Sequence, residues 1–532
     1  MAQLSDHFIW VNPELDNVAV AKRNVDAGVL FTFNDQQITL AESVKAGHRI
    51  ALTNIPQGVA IIQYGQPFAV SRGIKCGEAI SEDRIESFHD PILRISRQPG
   101  QLPAWQGELP TFDGYVRSDG LIGIRNWVVV IPTSMCSSHE AQQIAFIAEN
   151  SQLYSRQKYP NIDGVTCIFH TFGCGCMNPA PDESPSQMGE MHTTLEMLHR
   201  IMRHPNVGAV LLIELGCEKT NLSQLTQWIT GSSTDPKDLS AVIGKPVEFL
   251  SIQACGGTQP TIQNGLALLK NLLDIAGRNQ REKCPISKLA LGLKCGGSDS
   301  FSGVTANPAL GVASDLLIQA GGYSLISEIP EFFGAEHLFA SRAINDQVEQ
   351  NIFDAIEKYK NYLQTSGGNF EDNPSPGNRA GGLINIAIKA LGALAKSGKA
   401  PVKGVLDYLQ PIWQKPGGGL YLLYGPGYDQ ISTPALVASG AQLVCFTTGR
   451  GTGIGNAIAP VVKISSNPEL TKHMGADMDI DAGKVLLGAT TIREVGEEIF
   501  QKILLVASGS SVKSEDNKHR EFAIWSQEKV TL

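Results

Sequence analysis

The sequence predicts an α/β protein in which a small N-terminal all-β domain precedes two Rossmann-like parallel α/β domains. Three observations lead to this fold class. Residues 1–95 contain short alternating apolar and polar runs separated by turn residues. From Gly114 onward, strand-like and helical runs alternate, which is typical of parallel sheets with right-handed crossovers. Several of these apolar runs end in a loop of small and polar residues, as ligand-binding loops of such sheets do.

Changes of pattern divide the 532 residues into predicted domains. The β domain spans 1–95, and residues 96–112 are rich in Pro, Gln and Gly without periodicity, which is typical of a linker. The first α/β domain is predicted over 113–284 and the second over 285–532, because the stretch REKCPISK (281–288) separates two strand–helix series.

Composition argues against several function classes. Lys plus Arg is 43 and Asp plus Glu is 52, which gives a net charge of −9 without basic runs, so nucleic acid and anionic membranes are not expected partners. No apolar run approaches the roughly 20 residues of a membrane span. The first residues show no secretion signal, and most of the ten cysteines lie singly in turns, so we expect a reduced, cytoplasmic protein.

The most informative turn, CGGSDSFS (295–302), follows an apolar run that ends at Lys294. It offers a thiol, hydroxyls, a carboxylate and backbone N–H groups at a helix start, although a single turn of this kind is also compatible with a purely structural role. Because carboxyl ends of parallel strands meet at one edge of a sheet, we expect the comparable turns to converge on one shared cleft. The other turns are PTSMCSSHE (132–140), HTFGCGCMN (170–178), GCEKTN (216–221), QACGGTQ (253–259) and TTGRGTGIG (447–455).

Common catalytic motifs are absent from the sequence. There is no phosphate loop of the form G-x-x-x-x-G-K-[ST], no H-E-x-x-H zinc helix and no G-x-S-x-G elbow. The stretch GRGTGIG (449–455) does not match G-x-G-x-x-G, and Pro460 stands where a long helix should begin, so a nicotinamide site is not expected.

Taken in order, the turns resemble those of the altronate/galactarate dehydratase family of sugar-acid hydro-lyases. The block CGGSD-x-FSG-x-TANPA is the longest and most specific match. The matching stretches are DNVAVA (16–21), DGLIGIRNWVVVIPTSMC (119–136), PNIDGVTCIFHTFGCG (160–175), HPNVGAVLLIELGCEK (204–219), CGGSDSFSGVTANPALGVASDLL (295–317), NPSPGN (373–378), TTGRGT (447–452) and MDIDAG (478–483).

The resemblance implies that the protein dehydrates a hexarate or hexonate to a 2-keto-3-deoxy sugar acid, helped by a divalent metal such as iron(II) or manganese. Altronate-type members usually carry a histidine-bearing stretch where this sequence has GIKCGEAIS (73–81), which contains none. The chain length and the sequence SGVTANPA are closer to those of galactarate-type members. The substrate and any metal ligand from the first domain therefore stay open.

β-Elimination needs a base for the α-proton, an electrophile for the carboxylate and an acid for the departing hydroxyl. His170, at the end of a strand, is a candidate base, with a hydrogen-bonded turn histidine as the structural alternative. Asp299 and Glu328 are candidate acids or metal ligands, and capping or salt-bridging roles are their alternatives.

The candidate metal ligands are Cys174, Cys217 and Cys295, each of which follows a strand-like run. Thiolates bind iron(II), and an iron–sulfur cluster also stays open. Small packing residues are the structural alternative for all three.

The predicted substrate-binding set contains two arginines, Arg125 and Arg450, whose guanidinium groups could fork onto substrate carboxylates. An interdomain salt bridge is the alternative for Arg125. Ser298, Asn307 and Thr448, from the same polar turns, complete the set.

Two hypotheses from different classes follow. The first is a metal-dependent sugar-acid hydro-lyase, whose partner is a small-molecule sugar acid and which we expect to be a homo-oligomer. The second is an altered paralogue, either a lyase that eliminates another group such as sulfite from a 2-hydroxy acid or a non-catalytic sugar-acid-binding protein.

Overall fold

A computed structural model describes residues 2–34, 36–87, 94–175 and 189–526. An N-terminal all-β region precedes units built on parallel sheets, which confirms the predicted fold class. The domain boundaries proposed from the sequence stay predictions. Within the described ranges, no helix is both long and apolar enough to cross a membrane.

The N-terminal unit consists of three small sheets, each of three strands, in the orders β1-β4-β5, β2-β3-β6 and β7-β8-β9. Alternation along its strands places every second side chain inside, as with the buried Phe31 and Phe33. Its elements are β1 (Ala2–Gln3), α1 (Leu4–His7), β2 (Phe8–Ile9), β3 (Val18–Ala21), β4 (Leu30–Phe33), β5 (Gln36–Thr39), β6 (Arg49–Ala51), β7 (Ala60–Gln63), β8 (Gln66–Ser71) and β9 (Ile85–Ser87).

The first α/β unit has a four-stranded parallel sheet in the order β13-β12-β14-β15, beside a small antiparallel sheet β11-β10-β16. Its central strands are continuous apolar runs because helices cover both faces. Its strands are β10 (Thr111–Val116), β11 (Ile122–Gly123), β12 (Trp127–Pro132), β13 (Gly164–Cys167), β14 (Val207–Glu214), β15 (Val247–Ser251) and β16 (Glu282–Pro285). Its helices are α2 (Ser138–Asn150), α3 (Glu190–Arg203), α4 (Leu222–Thr230), α5 (Leu239–Ile243), α6 (Ile252–Cys255) and α7 (Thr258–Ala276).

The second α/β unit has a seven-stranded parallel sheet in the order β19-β20-β18-β17-β21-β22-β23. Its strands are β17 (Ala290–Cys295), β18 (Tyr323–Ile326), β19 (Val402–Leu406), β20 (Gly419–Leu423), β21 (Leu443–Thr448), β22 (Val461–Ser465) and β23 (Ile480–Asp481). Its helices are α8 (Ala306–Gln319), α9 (Glu336–Ala340), α10 (Asp346–Thr365), α11 (Pro376–Ala380), α12 (Ile386–Leu394), α13 (Asp429–Ala438), α14 (Pro468–His473), α15 (Ile492–Ala507) and α16 (Lys513–Asp516).

The two α/β units meet at the amino ends of their sheets. Asn206, just before β14, donates from its side-chain amide to the carbonyl of Gln442, just before β21, at 2.8 Å. His204 lies 3.2 Å through Nε2 from the carbonyl of Ala441 at the same junction. Strands of both sheets start at this junction and run away from it, so each sheet carries its carboxyl-edge loops on the side remote from the contact.

The N-terminal unit docks on loops at the carboxyl edge of the second sheet. The buried guanidinium of Arg49 donates to the Ser300 hydroxyl at 3.1 Å and to the Gly382 carbonyl. His48 contacts the carbonyl of Ala380 at 3.3 Å. Core residues Ile61 and Phe68 of the N-terminal unit belong to the same buried cluster as the second α/β unit. The N-terminal unit is therefore positioned by buried contacts as well as by its linker.

Candidate functional site

A chamber of about 210 Å³ lies at the carboxyl edge of the seven-stranded sheet. The loops after β17, β18 and β20 reach it, together with the segment before α11. This position is the one that the carboxyl-edge rule for parallel sheets predicts. Its lining residues are Cys295, Gly296, Gly297, Glu328, Glu331, Asp372, Asn373, Ser375, Asn378, Lys389, Gly427, Tyr428 and Asp429.

A buried lysine joins two carboxylates of this chamber. Lys294, near the end of β17, places Nζ 2.6 Å from Glu328 Oε1 and 2.5 Å from Asp429 Oδ1. Burial acts to lower the pKa of Lys294, but Asp429 and Glu328 outweigh it and raise that pKa. Lys294 is therefore held as a fixed positive charge at the chamber wall.

Glu328 has the most perturbed environment among the chamber carboxyls. Burial raises the pKa of Glu328 to about 8, against the opposing effect of Lys294. Its Oε1 accepts from the Ser432 hydroxyl at 3.1 Å, whereas its buried Oε2 has no hydrogen-bond partner in the described structure. Its backbone φ of 72° lies in the left-handed region, which costs free energy for any residue except glycine. Strain, an orphaned oxygen and a raised pKa are features expected of a proton-transfer group, which makes Glu328 a candidate for that role.

A second buried pair lies behind Cys295. Lys396 Nζ is 2.5 Å from Glu331 Oε2 and 3.3 Å from Cys295 Sγ, and that thiol donates to Glu331 Oε1 at 3.1 Å. Burial opposes ionisation of Glu331, but Lys396 and Lys294 outweigh it and lower the pKa of Glu331 to about 2. Burial raises the pKa of the Cys295 thiol to about 12. Cys295 is thus a neutral thiol between two charged groups.

The first glycine of the turn is required by close packing. A Cβ added to Gly296 would lie 2.4 Å from Asp429 Oδ2. Gly296 N donates to the Thr447 carbonyl, so this backbone cannot withdraw from Asp429 without losing a hydrogen bond. The small residues of the turn allow β17, β21 and α13 to close around the chamber.

The other predicted residues of this turn have structural contacts. Asp299 Oδ1 accepts from Ser302 N, Ser302 Oγ and Ser466 Oγ at 2.8, 2.9 and 2.8 Å, and Oδ2 accepts from Asn467 Nδ2 at 3.0 Å. Burial raises the pKa of Asp299, but the four donors bind its carboxylate fully. These contacts favour the capping alternative over a catalytic role for Asp299.

Three predicted substrate-binding residues differ in whether their side chains have a hydrogen-bonding group free for a ligand. Asn307 donates to the Gly392 carbonyl and accepts from Thr447, so it is buried structure. Thr448 Oγ1 accepts from Gly451 N at 3.0 Å and shapes the turn after β21. The buried hydroxyl of Ser298 has no partner in the described structure. Only the last of these has a side-chain group free for a ligand.

His170 does not present a free ring nitrogen. Its Nε2 is 2.8 Å from the carbonyl of Pro132, and its Nδ1 accepts from Phe172 N at 3.3 Å. The ring is buried, and burial lowers its pKa to about 4. These contacts favour the structural alternative over a catalytic base, because both nitrogens already bind the backbone; the catalytic role itself stays untested. The hydrogen-bonded turn histidine is what the structure contains.

Arg125 is likewise an interdomain clamp and not a ligand-binding group. Its guanidinium is 1% exposed and binds Glu515 through Nε and Nη2 at 2.7 and 2.8 Å. The remaining N–H groups donate to the carbonyls of Ile124, Val506 and Ser510. All five donors are used, which leaves none for a substrate carboxylate.

The predicted thiol ligands lie at two different places in the fold. Cys174 and Cys217 lie in loops of the four-stranded sheet, where they are joined by Cys136, and all three are exposed. The pKa of the Cys174 thiol is raised, first by its hydrogen bond with Cys136, then by burial and by Cys136 and Cys217 nearby. Cys295 lies instead in the chamber of the seven-stranded sheet. The described contacts thus form two clusters and do not support the single shared cleft that we expected.

Whether these thiols bind a metal ion stays a prediction. Across the described ranges, no group of three or more His, Cys, Asp or Glu side chains is spaced to hold a metal ion. Of the chamber carboxyls, Glu331 and Asp429 are already ion-paired to lysines, and Glu328 contacts Lys294 at 2.6 Å. Cys176, which follows Cys174 in the same turn, lies outside the described residues.

Sequence reasoning missed the lysines of the chamber. Lys294 and Lys396 each end an apolar run, ALGLK (290–294) and ALGALAK (390–396). A charged residue at the end of a buried apolar run is the sequence signal that could have pointed to both lysines. Glu331 and Asp429 carried no comparable signal, because their significance comes from partners more than 60 residues away.

Family models match three consecutive parts of the chain. The model described as the altronate/galactarate dehydratase SAF domain matches residues 6–88. The second domain of D-galactarate dehydratase/altronate hydrolase matches residues 114–277. The C-terminal domain of D-galactarate/altronate dehydratase matches residues 286–530, which includes the chamber.

Characterised relatives agree with these models. The chain is 36% identical over 526 residues to an altronate dehydratase of Bacillus subtilis, covering 97% of this chain and 98% of the relative. It is 36% identical over 533 residues to the galactarate dehydratase (L-threo-forming) of Escherichia coli, covering 97% and 96%. It is 31% identical over 418 residues to the (2R)-sulfolactate sulfo-lyase subunit beta of Chromohalobacter salexigens, covering 78% and 97%.

Proposed function

The chain belongs to the altronate/galactarate dehydratase family, and from this premise we propose that it removes water from a sugar acid of the galactarate or altronate class. The product would be a 2-keto-3-deoxy sugar acid. The reaction breaks the C–H bond next to the carboxylate and the C–O bond of the neighbouring carbon, and releases one water. The enol that forms then ketonises.

Glu328 is the observation that carries this proposal. A hydroxyl leaves a sugar acid only when it is protonated as it departs, so the reaction needs an acid that keeps its proton near neutral pH. Burial supplies such an acid by raising the pKa of Glu328 to about 8. Its unpartnered Oε2 is the oxygen available to donate that proton to a substrate hydroxyl.

The other chamber residues would divide the remaining tasks. Asp429, whose side chain is 25% exposed and paired with Lys294, is the carboxylate placed to take the α-proton. Lys389 lines the chamber, and its ammonium bonds only the neutral side chain of Asn373 within the described chain, so it is the cation for the substrate carboxylate. The buried Lys294 adds positive charge behind Glu328 and Asp429. Fixed positive charge stabilises the enediolate as negative charge develops on the carboxylate.

The divalent metal that the resemblance implies remains part of the proposal. Such a metal, when bound, would act as a Lewis acid on the carboxylate and the α-hydroxyl. The chamber carboxyls fit it poorly because Lys396 occupies Glu331, Lys294 occupies Asp429, and the raised pKa of Glu328 keeps a proton on that carboxyl. No step is assigned to a metal for this reason. A cytoplasmic location and a homo-oligomeric state also stay predictions.

The test is a screen of hexarates and hexonates for 2-keto-acid formation, with and without anaerobically added iron(II). Glu328→Gln should lower kcat by about 10²–10⁴-fold, the usual contribution of a general acid or base. Glu336→Gln is the matched control, because burial also raises the pKa of Glu336 although it does not line the chamber. If the wild type dehydrates a sugar acid and Glu328→Gln turns over within a few-fold of it, Glu328 is not the acid.

A second candidate, elimination of sulfite from a 2-hydroxy acid, is favoured by the similarity to the sulfo-lyase subunit. The relative matches 78% of this chain, whereas the two dehydratases match 97%. Sulfite released from sulfolactate, with no keto acid from any hexarate or hexonate, would establish the second function in place of the first. Binding of sugar acids without turnover would indicate the non-catalytic alternative.

A further inference from the structure

A second, larger cavity of about 810 Å³ lies between the N-terminal unit and the second α/β unit. The N-terminal unit contributes Lys22 and Arg23 to its wall, and the loop after β21 contributes Arg450. Its volume is in the range of small-molecule sites. The mechanism above makes no use of these three cations.

None of the three cations has an anionic partner within the described part of the chain. Lys22 Nζ donates to the carbonyl of Ser5 at 2.8 Å, and Arg23 Nη2 lies 3.4 Å from His7 Nδ1. The guanidinium of Arg450 makes no hydrogen bond or ion pair with a described residue, although its backbone N is fixed to the Gly297 carbonyl at 2.7 Å. A ligand with an anionic group would supply the missing partner.

The cavity carboxylates do not take that role. Asp299 at the wall is bound by four donors, and Asp6 accepts from the backbone N of Gln3. Glu469 is exposed in the first turn of α14 and forms no ion pair with a described residue. The walls themselves are held in register by Arg49, which binds Ser300 and Gly382 across the two units. The backbone segments that carry the three cations are therefore fixed relative to each other, and the side chains of Arg23 and Arg450 are exposed to a ligand.

The cavity adjoins the reaction chamber across a single loop. Gly296 and Gly297 line the chamber, whereas Asp299, two residues further along, lines the cavity. On the facing segment, Asn378 lines the chamber and Ala380 lines the cavity. Asn378 Nδ2 donates to the Ser298 carbonyl at 2.9 Å between the two spaces, next to the unpartnered Ser298 hydroxyl. A substrate held at the chamber is thus within one loop of the free cations.

We propose that Arg450, Lys22 and Arg23 bind the second carboxylate of a dicarboxylic sugar acid, so that the N-terminal unit selects hexarates over hexonates. This inference rests on the proposed function, because it names the substrate class for the same reaction. A hexarate carries a carboxylate at each end and a hexonate at only one. Lys389 in the chamber serves the reacting end, and the cavity cations serve the other.

The test compares galactarate, which has two carboxylates, with altronate, which has one. Arg450→Gln and the double change Lys22→Gln with Arg23→Gln should each raise KM for galactarate about ten- to a hundredfold, the range for one hydrogen-bonded charge. KM for altronate should change less than about threefold. Lys75→Gln is the matched control, an exposed lysine of the N-terminal unit outside the cavity, and should change neither.

Calorimetric titration of the full-length Glu328→Gln protein with both acids measures binding without turnover. Galactarate should bind more tightly than altronate, and adding Arg450→Gln should remove that preference. Equal effects of Arg450→Gln on the two acids, or none on either, would overturn the inference while leaving the dehydratase activity intact. If wild type binds galactarate selectively but dehydrates neither acid, the proposed function fails and the selectivity stands.

Discussion

Removal of the Lys396 ammonium is the sharpest test of the buried charges beside the chamber. Lys396→Met keeps the length and apolar volume of the side chain but strands the carboxylate of Glu331. The two side chains are 1% and 4% exposed, and their charged atoms are 2.5 Å apart. Breaking a buried pair on one side costs about 3–5 kcal/mol, since the remaining charge is left uncompensated. We expect the free energy of unfolding to fall by that amount at pH 7.

The matched control is Lys484→Met, which breaks the pair between Lys484 and Glu498. That pair has the same 2.5 Å separation, but its side chains are 34% and 46% exposed. Exposed pairs contribute about 0–1 kcal/mol because water and salt screen them. The two variants therefore differ in burial and not in distance, and urea unfolding followed by circular dichroism compares them directly.

The pH dependence should change sign in Lys396→Met. In the wild type the pKa of Glu331 is lowered to about 2, below the value of about 4.3 for an unfolded chain. Its pair thus stabilises the fold above about pH 4.3, and this contribution is lost as the pH falls towards 2. Without Lys396, protonation neutralises the stranded carboxyl, so the variant should gain stability between pH 7 and 5. A loss below about 1 kcal/mol at pH 7, with no such gain, would refute the reasoning.

Three further predictions concern residues outside the chamber. His170→Ala should destabilise the first α/β unit by about 2–4 kcal/mol, because it leaves the backbone groups of Pro132 and Phe172 without their hydrogen-bond partner. A lower melting temperature with kcat within a few-fold of wild type would confirm a structural role. Lost turnover at unchanged stability would contradict it. A chain that starts at Gly114 should lose activity and bind 8-anilinonaphthalene-1-sulfonate, a dye for exposed apolar surface, because Ile61 and Phe68 no longer cover the shared core. Normal turnover would show that the reaction does not need the first unit. Chelator treatment tests the metal requirement that the resemblance implies: lost turnover that iron(II) or manganese restores would establish the requirement, and full turnover after exhaustive metal removal would disprove it.

Arg125 and Glu328 show how far single residues could be interpreted from the sequence. The sequence offered a structural and a functional role for each. For Arg125 the structure selects the salt bridge, because Glu515 lies 390 residues away in the chain and only the fold brings it within 2.7 Å. For Glu328 the strained backbone, the buried Oε2 and the raised pKa all come from its surroundings. Neither outcome was accessible without long-range contacts.

The sequence by itself determined the all-β start, the strand–helix alternation, the polar turns at strand ends and the family. These features depend on period, turn chemistry and motif order, which are local properties of the chain. The tertiary structure decided which turns share a site. The two sheets meet at their amino ends through Asn206 and Gln442, so their carboxyl-edge loops form two clusters. It also brought Lys294 to the backbone carbonyl of Cys295 and Lys396 to its thiol, because packing around the chamber depends on distances across the fold that no local pattern records.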